Sequence, residues 1–303
     1  MIHIHNGDVV AAFARRSGIP GEHVAYRESL VMGPVVPGDD WIENRAHALA
    51  QRYQEDLLRV RTDMMEQKQL LEAAPAQGEI VLWFEHDLFC LTHLLHLLDR
   101  FAEARVSVVW CPDPLSNSDE SGLDLLFESR AAATPAMIAL AREAWSAYTS
   151  PDPSALNTLI TRDTRDFPFL REGLTLHASR FPSTRNGLGA IEQQALESVA
   201  AGSTEWIPLF DQLNARVPRF GFGDAEVFAT LRSIATCAVP LVTIAGDVPK
   251  SMVTITPAGE NVLRGEVDDL TVNDPDRWLG GVHLTKENVW RWDGARLSRS
   301  AAS

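Results

Sequence analysis

The sequence predicts an α/β fold: an N-terminal Rossmann-like module with a mostly parallel sheet and helices on both faces, then a helical, winged-helix-like C-terminal domain. Three observations predict it. Strand and helix patterns alternate over residues 1–130 in the order β-α-β-α-β-α-β, the arrangement that right-handed crossovers close into a parallel sheet. The run Ile80-Val81-Leu82-Trp83-Phe84 is apolar at every position, which suits a strand buried on both faces. Beyond Asn186, three helical segments precede two short strand patterns, the order of a helix-turn-helix unit carrying a wing.

Each element has a local reason. Ile2 and Ile4 alternate with His3 and His5, a short strand pattern. Asn6-Gly7-Asp8 follows, then a helix from Val9 to Arg16 that Gly18 stops. His23 to Arg27 reads as a second strand, running into Glu28 and the chain-turning pair Gly33-Pro34. Asp40 to Ala74 reads as one long or two shorter helices, with an apolar stripe through Leu49, Tyr53, Leu57, Val60, Met64 and Leu71, and Pro75 closes it. The apolar third strand ends in Glu85-His86-Asp87, where a helix reaching Glu103 begins. Val106 to Trp110 is a fourth strand, followed by Cys111-Pro112-Asp113-Pro114. Helices over 134–180 are broken by Pro151, Pro153 and Pro168. Helices follow over 189–201, 205–216 and 224–235, with a turn at Gly202-Ser203-Thr204. Strands are expected over 240–245 and 251–255, then a helix opened by Thr256-Pro257 and ended by Gly265. The tail from Trp278 to Asp293 reads as a packed extension. This divides the chain into a module at 1–130, a helical connector at 131–182 and a domain at 183–303.

Composition narrows the function. A length of 303 residues suits two domains of ordinary size, and 45% hydrophobic with 22% charged residues is a globular profile. With 27 basic against 41 acidic residues the net charge is −14, which repels phosphate backbones and anionic membranes and argues against nucleic acid as a partner. Cys90, Cys111 and Cys237 form no CxxC pair, so neither a disulfide framework nor a cysteine-rich zinc module is expected. No apolar run approaches the roughly 18 residues of a membrane span, and the opening MIHIHNGD has no leader pattern. The cytoplasm is the expected location, without a membrane partner; a homo-oligomer stays open.

In open α/β sheets, ligands bind beyond the carboxyl ends of the strands. Those ends carry His5, Asn6, Gly7 and Asp8, then Glu28 with Gly33, then Glu85, His86 and Asp87, with Asp113 after the fourth. Gathered on one edge, these groups make a site for a small polar ligand or nucleotide. Asp8, Glu85, His86 and Asp87 are the acid–base candidates, and Asp8, Glu28 and Asp87 the candidates to hold a divalent cation. His5, Asn6, Gly7, Glu28, Gly33 and Asp113 are the ligand-contact candidates. Asn6-Gly7-Asp8 is not the GxGxxG fingerprint, and a carboxylate at a helix start competes with phosphate for its amides, so a nicotinamide or flavin is not expected. Each acid has an ordinary alternative: Asp8 and Asp87 as helix caps, Glu28 as a solvated loop residue. His86, Cys90 and His93 stand at i, i+4 and i+7, a zinc-competent face or a face packed on the sheet; His47 and His96 read as helix-surface residues.

The third C-terminal helix carries Arg232 as its one base beside Asp224 and Glu226, which argues against DNA readout; Arg180, Arg185, Arg216 and Arg219 would offer only a small basic edge. A ligand-sensing regulator or an interaction scaffold is the alternative to an enzyme.

Three separated motifs carry a resemblance: His3-x-x-Asn6-Gly7-Asp8; Glu28 with Gly33-Pro34; and Trp83-Phe84-Glu85-His86-Asp87 with Leu88-Phe89. Over about residues 1–130 the chain resembles the bacterial family known as domain of unknown function 1835. Phe181-Pro182-Ser183, Asn186-Gly187-Leu188, Glu192 and Trp278-Leu279-Gly280-Gly281 resemble the C-terminal region of one branch of it. The resemblance implies a bacterial cytosolic protein in which the motif positions matter, without assigning a reaction. A Gln common in that family shortly after the third-motif Asp is replaced here by the stretch Cys90-Leu91-Thr92.

Overall fold

A computed structural model describes residues 1–202 and 205–300. The N-terminal half runs β1 (Ile2–His5), α1 (Asp8–Ala14), β2 (Glu22–Ala25), α2 (Trp41–Tyr53), α3 (Leu57–Ala73), β3 (Ile80–Glu85), α4 (Leu88–Arg100), β4 (Val106–Cys111), α5 (Glu120–Glu128) and β5 (Ala131–Ala132). These strands form a five-stranded sheet in the order β2-β1-β3-β4-β5. The first four are mutually parallel, and β5 adds antiparallel to β4. The chain passes from β1 outward to β2 and then back across to β3, so the winding reverses between β1 and β3, the position at whose carboxyl edge open α/β sheets bind ligands.

Side-chain alternation distributes the core over both faces. Ile4, Ile80, Leu82, Phe84 and Val108 join Leu91, Leu94, Leu95 and Leu98 of α4 on one face. Val81, Trp83 and Val109 meet Val10 and Ala14 of α1 and Leu123 of α5 on the other. This explains why β3 carries no polar alternation: both of its faces are covered.

The helical stretch after β2 is two helices. Gln54 ends α2 in a left-handed conformation, φ 59°, and the Asp56 carboxylate caps α3 by accepting from the Arg59 amide at 2.9 Å. Three further helices, α6 (Pro135–Tyr148), α7 (Ser154–Thr161) and α8 (Leu170–Ser179), fill the segment expected as a connector. They share the first core: Ala141, Trp145, Leu156, Leu159, Leu170 and Leu174 belong to the same apolar cluster as β1 and β3.

Then come α9 (Ala190–Ala200), α10 (Trp206–Arg216), α11 (Asp224–Ala235), the antiparallel hairpin β6 (Val242–Ala245) and β7 (Met252–Ile255), and α12 (Pro257–Arg264). Ser203 and Thr204 of the expected turn lie outside the described residues. Leu196, Trp206, Leu209, Leu231 and Val253 build a second core, which also takes in Met32, Leu49 and Leu88 from the first half. The tail forms two antiparallel hairpins, β8 (Arg277–Leu279) with β9 (Val282–Leu284) and β10 (Trp290–Trp292) with β11 (Leu297–Arg299). Leu279, Val282, Leu284, Trp290 and Leu297 return to the first core. The Gly280-Gly281 pair permits that return: a β-carbon at 280 would lie 2.2 Å from the Tyr148 carbonyl oxygen, and one at 281 would lie 1.9 Å from that of Thr149. Among the described residues no helix is long and apolar enough to cross a membrane.

Candidate functional site

The site begins where β3 leaves the sheet. Glu85 is its last residue, and Asp87 caps α4 by accepting from the Cys90 amide at 2.7 Å. The first turn of α4 folds Cys90 back over the strand end. Glu85, Asp87 and Cys90 thereby place one heteroatom each within 4.8 Å of one another. Asn6, just past β1, reaches across the winding reversal: its amide nitrogen donates to Glu85 Oε1 at 3.0 Å and to Cys90 Sγ at 3.5 Å. The Leu115 amide donates to the same Glu85 oxygen at 2.9 Å.

Electrostatics separate the two acids from ordinary surface carboxylates. Burial pushes the Asp87 carboxyl up to about 7; the Glu85 charge adds to this, while the amide and thiol of Cys90 and the Arg219 guanidinium oppose it. Burial also raises Glu85, against the Leu115 and Asn6 donors. The Cys90 thiol is held well above its ordinary value by burial and by the two neighbouring carboxylates, so it stays protonated. Glu85 Oε1 faces the Asn6 and Leu115 N–H donors, and Cys90 Sγ faces Asn6. Two neighbouring carboxyls with raised proton affinity make an arrangement suited to acid–base chemistry.

Beside the pair, the His86 ring lies 4.5 Å from Trp110 and stacks at 5.4 Å on Phe169 (centroid distances). Its Nε2 is buried without a hydrogen-bond partner, and Arg219 Nη1 donates to the His86 carbonyl at 3.0 Å. Burial and the Arg219 charge lower the His86 pKa, favouring the neutral ring.

The remaining candidates are placed elsewhere. Asp8 is exposed in a bidentate pair with Arg27, with contacts of 2.7–2.9 Å, and that bonding holds its carboxyl below the usual range. Glu28 is buried. Burial alone would raise its carboxyl, but the Arg45 guanidinium at 2.5 Å and the Ser29 amide bring it below the ordinary value. Arg45 in turn donates to the carbonyls of Ser29, Met32 and Pro34, so the pair fastens the loop after β2 to α2. Neither acid joins the three-residue group around Asp87, and among the described residues that group is the one set of potential metal-ligating side chains. Asp113 is exposed on its loop, and the space beyond Gly7 is open. Gly33, at φ +68°, lines a separate cavity between α2 and α11.

His5 ends a buried histidine chain. Trp83 Nε1 donates to His3 Nδ1 at 3.0 Å, so His3 Nε2 carries its proton toward the Pro20 carbonyl. His23 Nε2 faces the Ile19 carbonyl, which leaves its Nδ1 to accept from His5 Nε2 at 3.0 Å. The His5 Nδ1 lone pair is then buried without a partner.

The His86–Cys90–His93 trio does not form. His86 precedes α4 rather than lying on it, and both His93 nitrogens face carbonyl oxygens, of Phe89 at 2.8 Å and Glu28 at 2.6 Å. His96 is not a surface residue either; it packs between Trp41 and Trp145 and meets the Tyr26 hydroxyl at 2.8 Å. The basic edge is likewise dispersed, since Arg180 is buried and Arg219 turns to His86. Cys90 and Asn6 as partners of the acids required the fold; the polar triplet closing an apolar strand was the signal for the acids themselves.

No protein-family model matches the chain, and no curated protein matches it.

Proposed function

We propose that the chain binds a small polar ligand at the carboxyl edge of its parallel sheet and acts on it by proton transfer, as a hydrolase-type enzyme would. The convergence of Glu85, Asp87 and Cys90 beneath Asn6 carries this reading. Asp87 is the group that exchanges a proton near neutrality, Glu85 tunes it, and His86 orients or relays through its free Nε2. The half we describe as Rossmann-like supplies the edge. The three motifs that resemble domain of unknown function 1835 include this edge.

The test is a carbon-13 titration of the carboxyl groups in the labelled full chain, repeated with phosphate and acetyl esters of p-nitrophenol as probes. The proposal expects coupled steps for Glu85 and Asp87, the upper near pH 7, and ester turnover that Asp87→Asn removes. An Asp87 titrating near its ordinary value, or turnover unchanged in Asp87→Asn, overturns it.

We read α9–α11 with the β6–β7 hairpin as winged-helix-like, and favour a scaffold role for it over DNA readout. Glu226 of α11 accepts from Ser29 and Tyr53 at 3.1 and 3.2 Å, and Arg232 bonds the Arg52 carbonyl, so the helix that would enter a groove is docked on α2. A gel shift at low salt with genomic fragments would overturn this preference.

A further inference from the structure

Between α2, the start of α9 and the C-terminal half of α11 lies a cavity of about 710 Å³, walled also by the loop after β2 and by the approach to β8. It is the size of a small-molecule site. Its chemistry is unusual for an acidic chain, because four arginines line it: Arg52, Arg180, Arg232 and Arg277.

Two of them are under-satisfied. Arg180 is 5% exposed; its Nη2 donates to the Val31 carbonyl at 2.6 Å, and its Nη1 is buried with no partner. Arg52 reaches Thr230 Oγ1 at 3.3 Å through Nη2, and its Nε is likewise buried with no partner. Burial weakens the hold of both guanidiniums on their protons; Arg277 repels each and Glu192 attracts each. Four acids share the lining, Glu192, Asp269, Asp274 and Asp276, each with a partner of its own. Glu192 is bonded to Arg277, and burial raises the Asp269 carboxyl, which accepts from Asn273. Asp274 and Asp276 pair outward with Lys286 and His283.

A third feature faces the same space. α9 begins at Gly189 with no side chain capping it, and Gly187, Gly189 and Ile191 line the cavity. Its positive end favours an anion, and the Glu192 carboxylate already stands in the first turn beside Gly189. A buried guanidinium lacking an acceptor is a costly arrangement unless an oxyanion supplies it.

We propose that this cavity binds a phosphorylated small molecule, whose phosphate accepts from Arg180 Nη1 and Arg52 Nε at the α9 N-terminus. The site is independent of the Glu85–Asp87 pair. The two flank one segment: Gly221 rests on Asp87, and Phe222 lines the cavity beneath the Arg180 guanidinium, 5.2 Å from its ring. Failure of either proposal leaves the other standing.

The test is calorimetry and thermal unfolding of the full chain with inorganic phosphate, pyrophosphate and ADP, against chloride at matched ionic strength. Saturable binding and a raised midpoint are expected with at least one of the three, weakening as salt rises. Arg180→Met should weaken binding at least tenfold. Ser233→Glu, which sets a carboxylate on the cavity wall without removing a guanidinium, should abolish binding while the unliganded midpoint stays put. Asp87→Asn should bind as the parent does. Absence of saturable binding by all three probes at low salt, or binding unchanged in Ser233→Glu, overturns the proposal.

Discussion

Gly221 lies directly on the carboxyl group of Asp87: a β-carbon at 221 would sit 2.3 Å from Asp87 Cγ, on a backbone with φ +65°. The glycine packs against an acid whose burial raises its pKa. Gly221→Ala meets both the contact and the left-handed backbone. It should destabilise the fold by about 1–3 kcal/mol, read from urea midpoints, and bring the Asp87 titration back toward its ordinary value by forcing the carboxyl outward.

Asp87 also sets a pH dependence. Its folded pKa is raised to about 7 from 3.8, so the folded chain holds that proton more tightly than the unfolded chain. Its contribution is complete below about pH 4 and is lost as pH rises through about 7. Asp87→Asn keeps an oxygen for the Cys90 amide. It should therefore leave stability at about pH 3 nearly unchanged and raise it by about 2–4 kcal/mol at about pH 8, since each tenfold change in proton affinity is worth about 1.4 kcal/mol. Denaturant melts at the two pH values check this.

The histidine chain works in the opposite sense. Burial lowers His3 to about 4 and His5 well below its ordinary value, so the unfolded chain takes up protons first as pH falls below 6.5. Stability should fall from about pH 6.5 toward about 4, each group contributing about 1.4 kcal/mol per pH unit. His5→Leu should flatten that limb by one such increment, and Asp87→Asn should steepen it, in midpoints taken at half-unit intervals.

Arg45→Met strands the Glu28 carboxylate inside the protein. A loss of about 3–5 kcal/mol is expected, and adding Glu28→Gln should recover much of it, because the site then no longer holds an uncompensated charge. A double-mutant cycle in urea measures the coupling.

Much of the architecture was legible because periodicity changes sharply along the chain. The apolar run before Glu85, Gly18 and Pro75 marked boundaries that tertiary packing respects. Other features left no trace. Gln54 is left-handed without being glycine, and the two residues of β5 are too few to show alternation. The acid candidates were visible, but the partners that divide them were not. Asp8 and Glu28 meet Arg27 and Arg45, whereas Asp87 meets Cys90 and Gly221, and only the folded chain decides which acid loses its water. The arginine cavity was hidden for a similar reason: Arg52, Arg180, Arg232 and Arg277 come from four stretches distant in sequence.

The return of Trp290, Trp292 and Leu297 to the core that holds Ile2 and Ile4 has a consequence for synthesis. On the ribosome the parallel sheet emerges well before the side chains that seal one of its faces. Until then the nascent sheet keeps apolar surface exposed, and such long-range closure is slow. A chain stalled before residue 277 would therefore leave that face unsealed, and would be a substrate for holding chaperones rather than a smaller working protein.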